Sequence, residues 1–151
     1  MKYLCHTQPM PLALEASDIN VVKWWVDASY AVHPNMRSHT GGIMTLGSGG
    51  VYAVFAKSKL NTRSSTESEL VGLHDVMPQI LWTRSFLKSQ GYENSISIVG
   101  QDNQSAMLLE KHARASISKW THHIDIHYFF IADRISSGDL EVKWEGNNQP
   151  K

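Results

Sequence analysis

The segment Val21 to Ala28, VVKWWVDA, sets large or β-branched residues at Val21, Val22, Trp24, Trp25 and Val26, the composition of a strand buried in the middle of a sheet. One carboxylate, Asp27, stands at its end. The polar, turn-rich stretch SYAVHPNMRSHTGG then returns the chain to GIMTLG, a second strand. Gly47 to Gly50, GSGG, permits positive φ, and VYAVFAKSK resumes strand alternation, with Val51, Ala53 and Phe55 set against Tyr52 and Val54. The pattern predicts a three-stranded antiparallel meander with the acid-bearing strand first.

The period changes at RSSTESEL. Ser64 or Ser65 can cap a helix, with Glu67 or Ser68 about three residues on in the manner of a capping box. Leu70, Leu73, Met77, Ile80, Leu81, Arg84 and Leu87 recur at three-and-four spacing, so this face packs on the sheet until Gln90-Gly91 ends the helix. Pro78 removes an internal hydrogen bond and predicts a kink or short break near His74 to Met77. Glu69 falls within the first turn or two, beside the apolar stripe.

SISIVG, Ser95 to Gly100, reads as a fourth strand, parallel to an earlier one because a helix intervenes. Asp102 follows at once, and DNQSAMLLEKH reads as a second helix. After ARASISKW, the positions Ile124, Tyr128, Ile131 and Ile135 mark a third helix closed by Gly138, and Leu140 to Trp144 form a fifth strand. Met1 to Asn20, interrupted by Pro9 and Pro11, reads as a tether, and EGNNQPK is polar and aperiodic. The expected architecture is α/β, a five-stranded mixed sheet flanked by helices in the order β-β-β-α-β-α-α-β.

Composition narrows the class. A chain of 151 residues with 42% hydrophobic residues is one domain with a real core. Fourteen basic and fourteen acidic residues leave no net charge, so any nucleic-acid role rests on a local patch. The single Cys5 makes no internal disulfide, no apolar stretch approaches the roughly 20 residues that cross a bilayer, and the start lacks a secretory pattern. These features predict a reducing intracellular compartment and no membrane partner.

Candidate chemistry lies in three acids: Asp27 after the first strand, Glu69 in the first helix and Asp102 after the fourth strand. They are expected to converge. Carboxylate oxygens are the ligand type that Mg²⁺ requires. His123 and His127 are an i, i+4 pair able to hold zinc, but no acid or Cys cluster completes a four-ligand set. A GxSxG elbow, a P-loop and a GxGxxG are all missing, so acyl transfer and nucleotide-cofactor chemistry have no sequence support.

The motifs WWVDASYAVHPNMRSHTGG, LNTRSSTESELVGL, VMPQILWTRSFL, QDNQSAMLLEK and HHIDIHYFFIADRI, in this order, resemble the ribonuclease H region of Ty/copia-type retrotransposon Pol polyproteins, from Val21 to Trp144. The resemblance implies a ribonuclease H-like fold over residues 21–151 and a tether from the polymerase connection region over residues 1–20. It implies metal-dependent hydrolysis of the RNA strand of RNA–DNA hybrids during reverse transcription, in a virus-like particle in the cytoplasm or in the nucleus, beside the reverse transcriptase domain of the same polyprotein. Asp27, Glu69 and Asp102 would hold two Mg²⁺ ions, which Mn²⁺ can replace, about 3.5–4 Å apart.

Glu69 is chosen over Glu67 because it occupies the family's place in E-L-x-x-L, and Glu67, two residues away on a helix, points about 160° off. By the same likeness Ser65, Thr66 and Gln104 meet ribose hydroxyls and bases across the minor groove. Lys57, Lys59, Arg63, Lys111, Arg114 and Lys119 are candidates for phosphate contact. The family pattern places a fourth acid about two positions beyond Lys151, so the resemblance implies a domain stopping before its last helix and weak cleavage, with Glu145 the nearest substitute. Two alternatives stay open: a catalytically weak or inactive nucleic-acid-binding domain, and a polynucleotidyl transferase of the integrase type.

Overall fold

In the computed structural model, which describes residues 9–11, 13–18, 20–92, 96–102 and 122–144, the chain builds one five-stranded sheet and a small two-stranded one. The elements are β1 (Glu15–Ala16), β2 (Val21–Ser29), β3 (His39–Thr45), β4 (Gly47–Ser48), β5 (Gly50–Lys57), α1 (Ser65–Ser89), β6 (Ile96–Gln101), α2 (His122–Ser136) and β7 (Glu141–Trp144). The main sheet runs β5-β3-β2-β6-β7. β2, β3 and β5 pair antiparallel, as hairpin connections allow, whereas β6 joins β2, and β7 joins β6, in parallel after helical crossovers. This is the predicted mixed sheet, with the acid-bearing strand at its centre.

The alternation along β2 decides which face is core. Val22, Trp24, Val26 and Ala28 are buried, while Lys23 and Asp27 between them are exposed and Trp25 is half-buried. Bulk at nearly every position of VVKWWV predicts burial on both faces, but the strand is covered on one. The reason is in α1: Leu70, Leu73, Val76, Met77 and Ile80 form one core cluster with Val22, Trp24 and Val26, joined by Tyr128 and Ile131 of α2 and by Val99 and Val142. Tyr52 and Val54 pack against that cluster from β5, leaving Val51 and Phe55 outside.

α1 begins where its sequence says it should. Ser64 Oγ accepts a hydrogen bond from the Glu67 amide at 3.2 Å, and Glu67 Oε2 accepts one from the Arg63 amide at 2.7 Å, so two amides at the helix start are satisfied reciprocally. The helix ends at Gln90, with Gly91 at φ +93° and the Tyr92 amide donating to the Leu87 carbonyl. Between these ends it is continuous. Pro78 does not break it: Val76, Met77 and Ile80 are buried around the proline, and their packing on the sheet outweighs one missing backbone bond. Arg84, counted in the apolar stripe, instead pairs with Asp139, which Arg134 also binds at 3.0 Å, locking α1 to the turn after α2. Gly138, at φ +73°, closes α2 as expected.

Part of the expected tether is structured. Glu15 and Ala16 pair antiparallel with Ser48 and Gly47, using the GSGG stretch as a partner strand as well as a turn. Gly47 is required there, because a Cβ would lie 2.0 Å from the Glu15 carbonyl oxygen. The helix expected over DNQSAMLLEKH, and residues Gln104, Lys111, Arg114, Lys119 and Glu145, lie outside the described residues. Among those described, no helix is long and apolar enough to cross a membrane.

Candidate metal centre

β2 and β6 bring two acids to one level of the sheet. Their pairing ends at Trp25↔Gly100, so continuing the register two residues sets Asp27 beside Asp102, just past the end of β6 at Gln101. Glu69 arrives from the second turn of α1. Oxygens of Asp27, Glu69 and Asp102 all lie within 4.8 Å of one another, with both aspartates exposed and Glu69 buried. The three acids that the sequence singled out do converge. Glu67 is not part of the cluster, since its carboxylate is engaged at the helix cap.

Close approach of α1 to the sheet sets Glu69's position. Gly72, one turn beyond Glu69, faces β2 and β3 so tightly that a Cβ there would lie 3.2 Å from Ala28 Cβ and 3.3 Å from Thr40 Cγ2. A side chain at 72 would be tighter than ordinary van der Waals contact with both strands.

The electrostatics of the cluster are strained without a cation. Burial, then the neighbouring Asp27 and Asp102 charges, push the Glu69 carboxyl up to about 7, against the opposing pull of the Ala28 amide and the Gln101 side chain. Glu69 Oε2 is buried with no hydrogen-bond partner among the described residues, and Gln101 beside it is 1% exposed. An oxygen-only donor set, like-charged, partly buried and short of hydrogen bonds, fits a hard divalent cation.

A second titratable group has the opposite sign. His74 of α1 lies edge-to-face against His127 of α2, ring centroids 3.8 Å apart, and burial, with His127 adding, lowers its pKa to about 4. The unfolded chain therefore takes up a proton at His74 that the folded one refuses, and stability falls as pH drops from 6.5 toward 4. Glu69 holds when folded a proton that it loses when unfolded, so stability falls as pH rises from 4.5 toward 7. Asp75, raised by burial, adds to the Glu69 direction. In metal-free buffer the two slopes oppose, and urea denaturation is expected to give near-constant stability across about pH 5 to 6.5. His74→Phe should leave the slope of Glu69 and Asp75 unopposed, so that stability falls with rising pH over the same range.

The other predicted site residues are placed as follows. Ser65 is exposed and Thr66 half-buried, both on the first turn of α1, three or four residues ahead of Glu69. Gln104 lies outside the described residues. Lys57, Lys59 and Arg63 are exposed. His127 meets His74, and the side chains of His122 and His123 lie outside the described residues. Gln101 and Gly72 were missed from sequence. A polar residue ending an apolar strand and a glycine in mid-helix were the available signals.

No family model matches the chain. The retrovirus-related Pol polyprotein from transposon TNT 1-94 of Nicotiana tabacum is 30% identical over 156 residues, covering 99% of this chain and 11% of that protein. The chain thus spans a small part of its curated relative. Among solved structures, an RNase H1 isolated from compost superposes with a TM-score of 0.60 at 11% identity, over 85% of this chain and 86% of that one. The solution structure of the PFV RNase H domain gives 0.59 at 14% identity, over 86% and 81%. The foamy viral protease-reverse transcriptase in complex with RNA/DNA hybrid gives 0.61 at 12% identity, over 94% of this chain and 19% of that one. With its sheet order and crossover helices, the chain has the ribonuclease H-like fold and is related to one segment of a retrotransposon Pol polyprotein.

Proposed function

We propose that this domain hydrolyses the RNA strand of RNA–DNA hybrids formed during retrotransposon reverse transcription, using divalent cations held by Asp27, Glu69 and Asp102. The observation that carries the reading is the gathering of these three carboxylates, distant in sequence, within 4.8 Å of one another. Bound Mg²⁺ would supply an activated water and stabilise the departing 3′ oxygen. The protein's own groups do the rest. Asp27 and Asp102, exposed, face the incoming phosphate, while buried Glu69 anchors the cation from the helix side. Exposed Ser65 and half-buried Thr66, on the first turn of the same helix, offer short hydroxyls to the ribose 2′-OH, the group that separates RNA from DNA. Lys57, Lys59 and Arg63 add salt-sensitive attraction for phosphates. The polymerase part of the same polyprotein is the natural source of the hybrid, in a virus-like particle or the nucleus.

Labelled RNA–DNA hybrid, duplex DNA and duplex RNA incubated with Mg²⁺ or Mn²⁺ test this. Cutting confined to the RNA of the hybrid is expected. Cutting of duplex DNA points to transferase chemistry, and tight hybrid binding with no cutting in either metal points to a binding domain.

A further inference from the structure

Just ahead of Glu69, three buried hydroxyls from three separate segments meet. Ser38 closes the β2–β3 connection, Thr62 lies in the loop leading to α1, and Ser68 is the residue before Glu69; they are 1%, 8% and 1% exposed. Thr62 Oγ1 and Ser68 Oγ are 2.7 Å apart, Ser38 Oγ and Ser68 Oγ 2.9 Å, and Ser38 Oγ and Thr62 Oγ1 3.2 Å. Ser68 Oγ also reaches the Ser64 carbonyl at 3.0 Å, and the Ala31 amide donates to Ser38 Oγ at 3.3 Å.

Counting protons assigns these bonds. Three hydroxyls carry three protons but make four oxygen–oxygen contacts, so one contact holds none. The carbonyl of Ser64 can only accept, which takes the Ser68 proton. Of the arrangements that remain, the one using the two shorter gaps has Ser38 and Thr62 donate to Ser68 and leaves the 3.2 Å contact empty. Ser68 donates once and accepts twice, its full capacity, and is the hub.

We propose that Ser38, Thr62 and Ser68 are positioning residues for the cation site: a hydroxyl clasp that fixes the first turns of α1 against the β2–β3 hairpin and thereby holds Glu69 opposite Asp27. The surroundings are built for this. The Ser58 amide donates to the Ser38 carbonyl at 2.9 Å, tying the same loop to the same hairpin by backbone, and β3 begins pairing with β2 at His39, the next residue. Gly72 sets how far α1 stands from the sheet, and the clasp sets where along and around its axis the helix stops. The Ser64 side chain accepts from the Glu67 amide, a tie within the helix's own start, so it does not by itself fix the helix to the hairpin.

The inference rests on the proposed cation site, and its test separates the two. Mn²⁺ affinity is measured on the whole chain without nucleic acid, at a temperature where circular dichroism shows each variant folded. Ser68→Ala removes the hub and is expected to weaken Mn²⁺ binding about tenfold, within the range for lost support of metal ligands. Thr62→Val removes one donor and should cost less, about threefold by the same reasoning. Ser68→Thr keeps the hydroxyl and should bind as the unmodified chain does. On hybrid, Ser68→Ala should lower kcat more than it raises KM, because the clasp bears first on Glu69 and only through the shared helix turn on Ser65 and Thr66. Folded Ser68→Ala with unaltered Mn²⁺ affinity overturns the clasp alone; should that variant fail to fold, unaltered affinity in Thr62→Val does so. An unmodified chain that takes up no Mn²⁺ overturns the cation site and the clasp with it.

Discussion

Glu69→Gln is expected to make the metal-free protein more stable at pH 8 while abolishing hybrid cleavage. At that pH the folded chain carries an ionised carboxylate buried beside Asp27 and Asp102, a form that the environment of Glu69 disfavours until the pH passes about 7. The unfolded chain ionises the same group without strain. Each unit of that displacement corresponds to about 1.4 kcal/mol, and allowing for solvent screening the neutral amide should gain about 2 kcal/mol. For a domain of this size that is about 5 °C in Tm. The gain should shrink as pH is lowered and vanish below the ordinary carboxylate range, where both forms are uncharged. Cleavage should fall at least ~10³-fold, several kcal/mol of lost metal-assisted stabilisation. Mn²⁺, which should raise the Tm of the unmodified chain by binding only its folded form, should raise that of the variant little. Thermal melts at pH 5 and 8 in chelator, melts with added Mn²⁺ and hybrid cleavage assays check the three outcomes. A variant that is less stable at pH 8 and still cleaves would show Glu69 to be an ordinary structural acid.

Gly72 is the position where a small change should have the next largest effect. Alanine at a helix interior gains up to about 1 kcal/mol in propensity over glycine, yet its Cβ would press on Ala28 Cβ at 3.2 Å and Thr40 Cγ2 at 3.3 Å, atoms of two paired strands with little freedom to retreat. The two effects oppose, so Gly72→Ala should stay within about 1 kcal/mol of the unmodified chain. Activity has no such offset. Relief of the contact moves α1 outward, and Glu69, one turn before Gly72, moves with it away from Asp27. A displacement on the order of 1 Å at reacting groups costs about 10²-fold, so the smaller shift that contacts of 3.2 and 3.3 Å call for should lower cleavage by up to about 10-fold. Gly72→Val adds two methyls to the same gap and should lose about 3 kcal/mol as well as activity. Urea denaturation and single-turnover cleavage on both variants separate packing from alignment. Equal activity in Gly72→Ala would mean that the acids tolerate a looser helix.

Much of this could be read before any coordinates. The meander, the long helix with its serine cap and Gly91 stop, the parallel fourth strand and the Gly138 closure follow from local signals that tertiary packing did not oppose. The departures share a cause. Pro78 weakens a helix locally, but the buried Val76, Met77 and Ile80 keep it continuous. The bulky β2 is central yet one-sided, because alternation places Lys23 and Asp27 away from α1 however many large apolar residues surround them. Arg84 has the spacing of a core residue but reaches Asp139, a partner 55 residues away that no periodicity reveals.

The order of the five main-sheet strands and the two described helices, and the identity of three acids, were written in the residues themselves, since strand alternation, helix spacing and caps depend on neighbours a few positions apart. What only the folded chain decided is the distance between those acids and the energy needed to hold them together. The parallel register levels Asp27 with Asp102, Gly72 lets the helix come close, and the resulting crowding of charge lifts Glu69 toward neutrality. Such effects are sums over contacts between segments remote in sequence, and they exist only once burial has removed the water that would otherwise screen them.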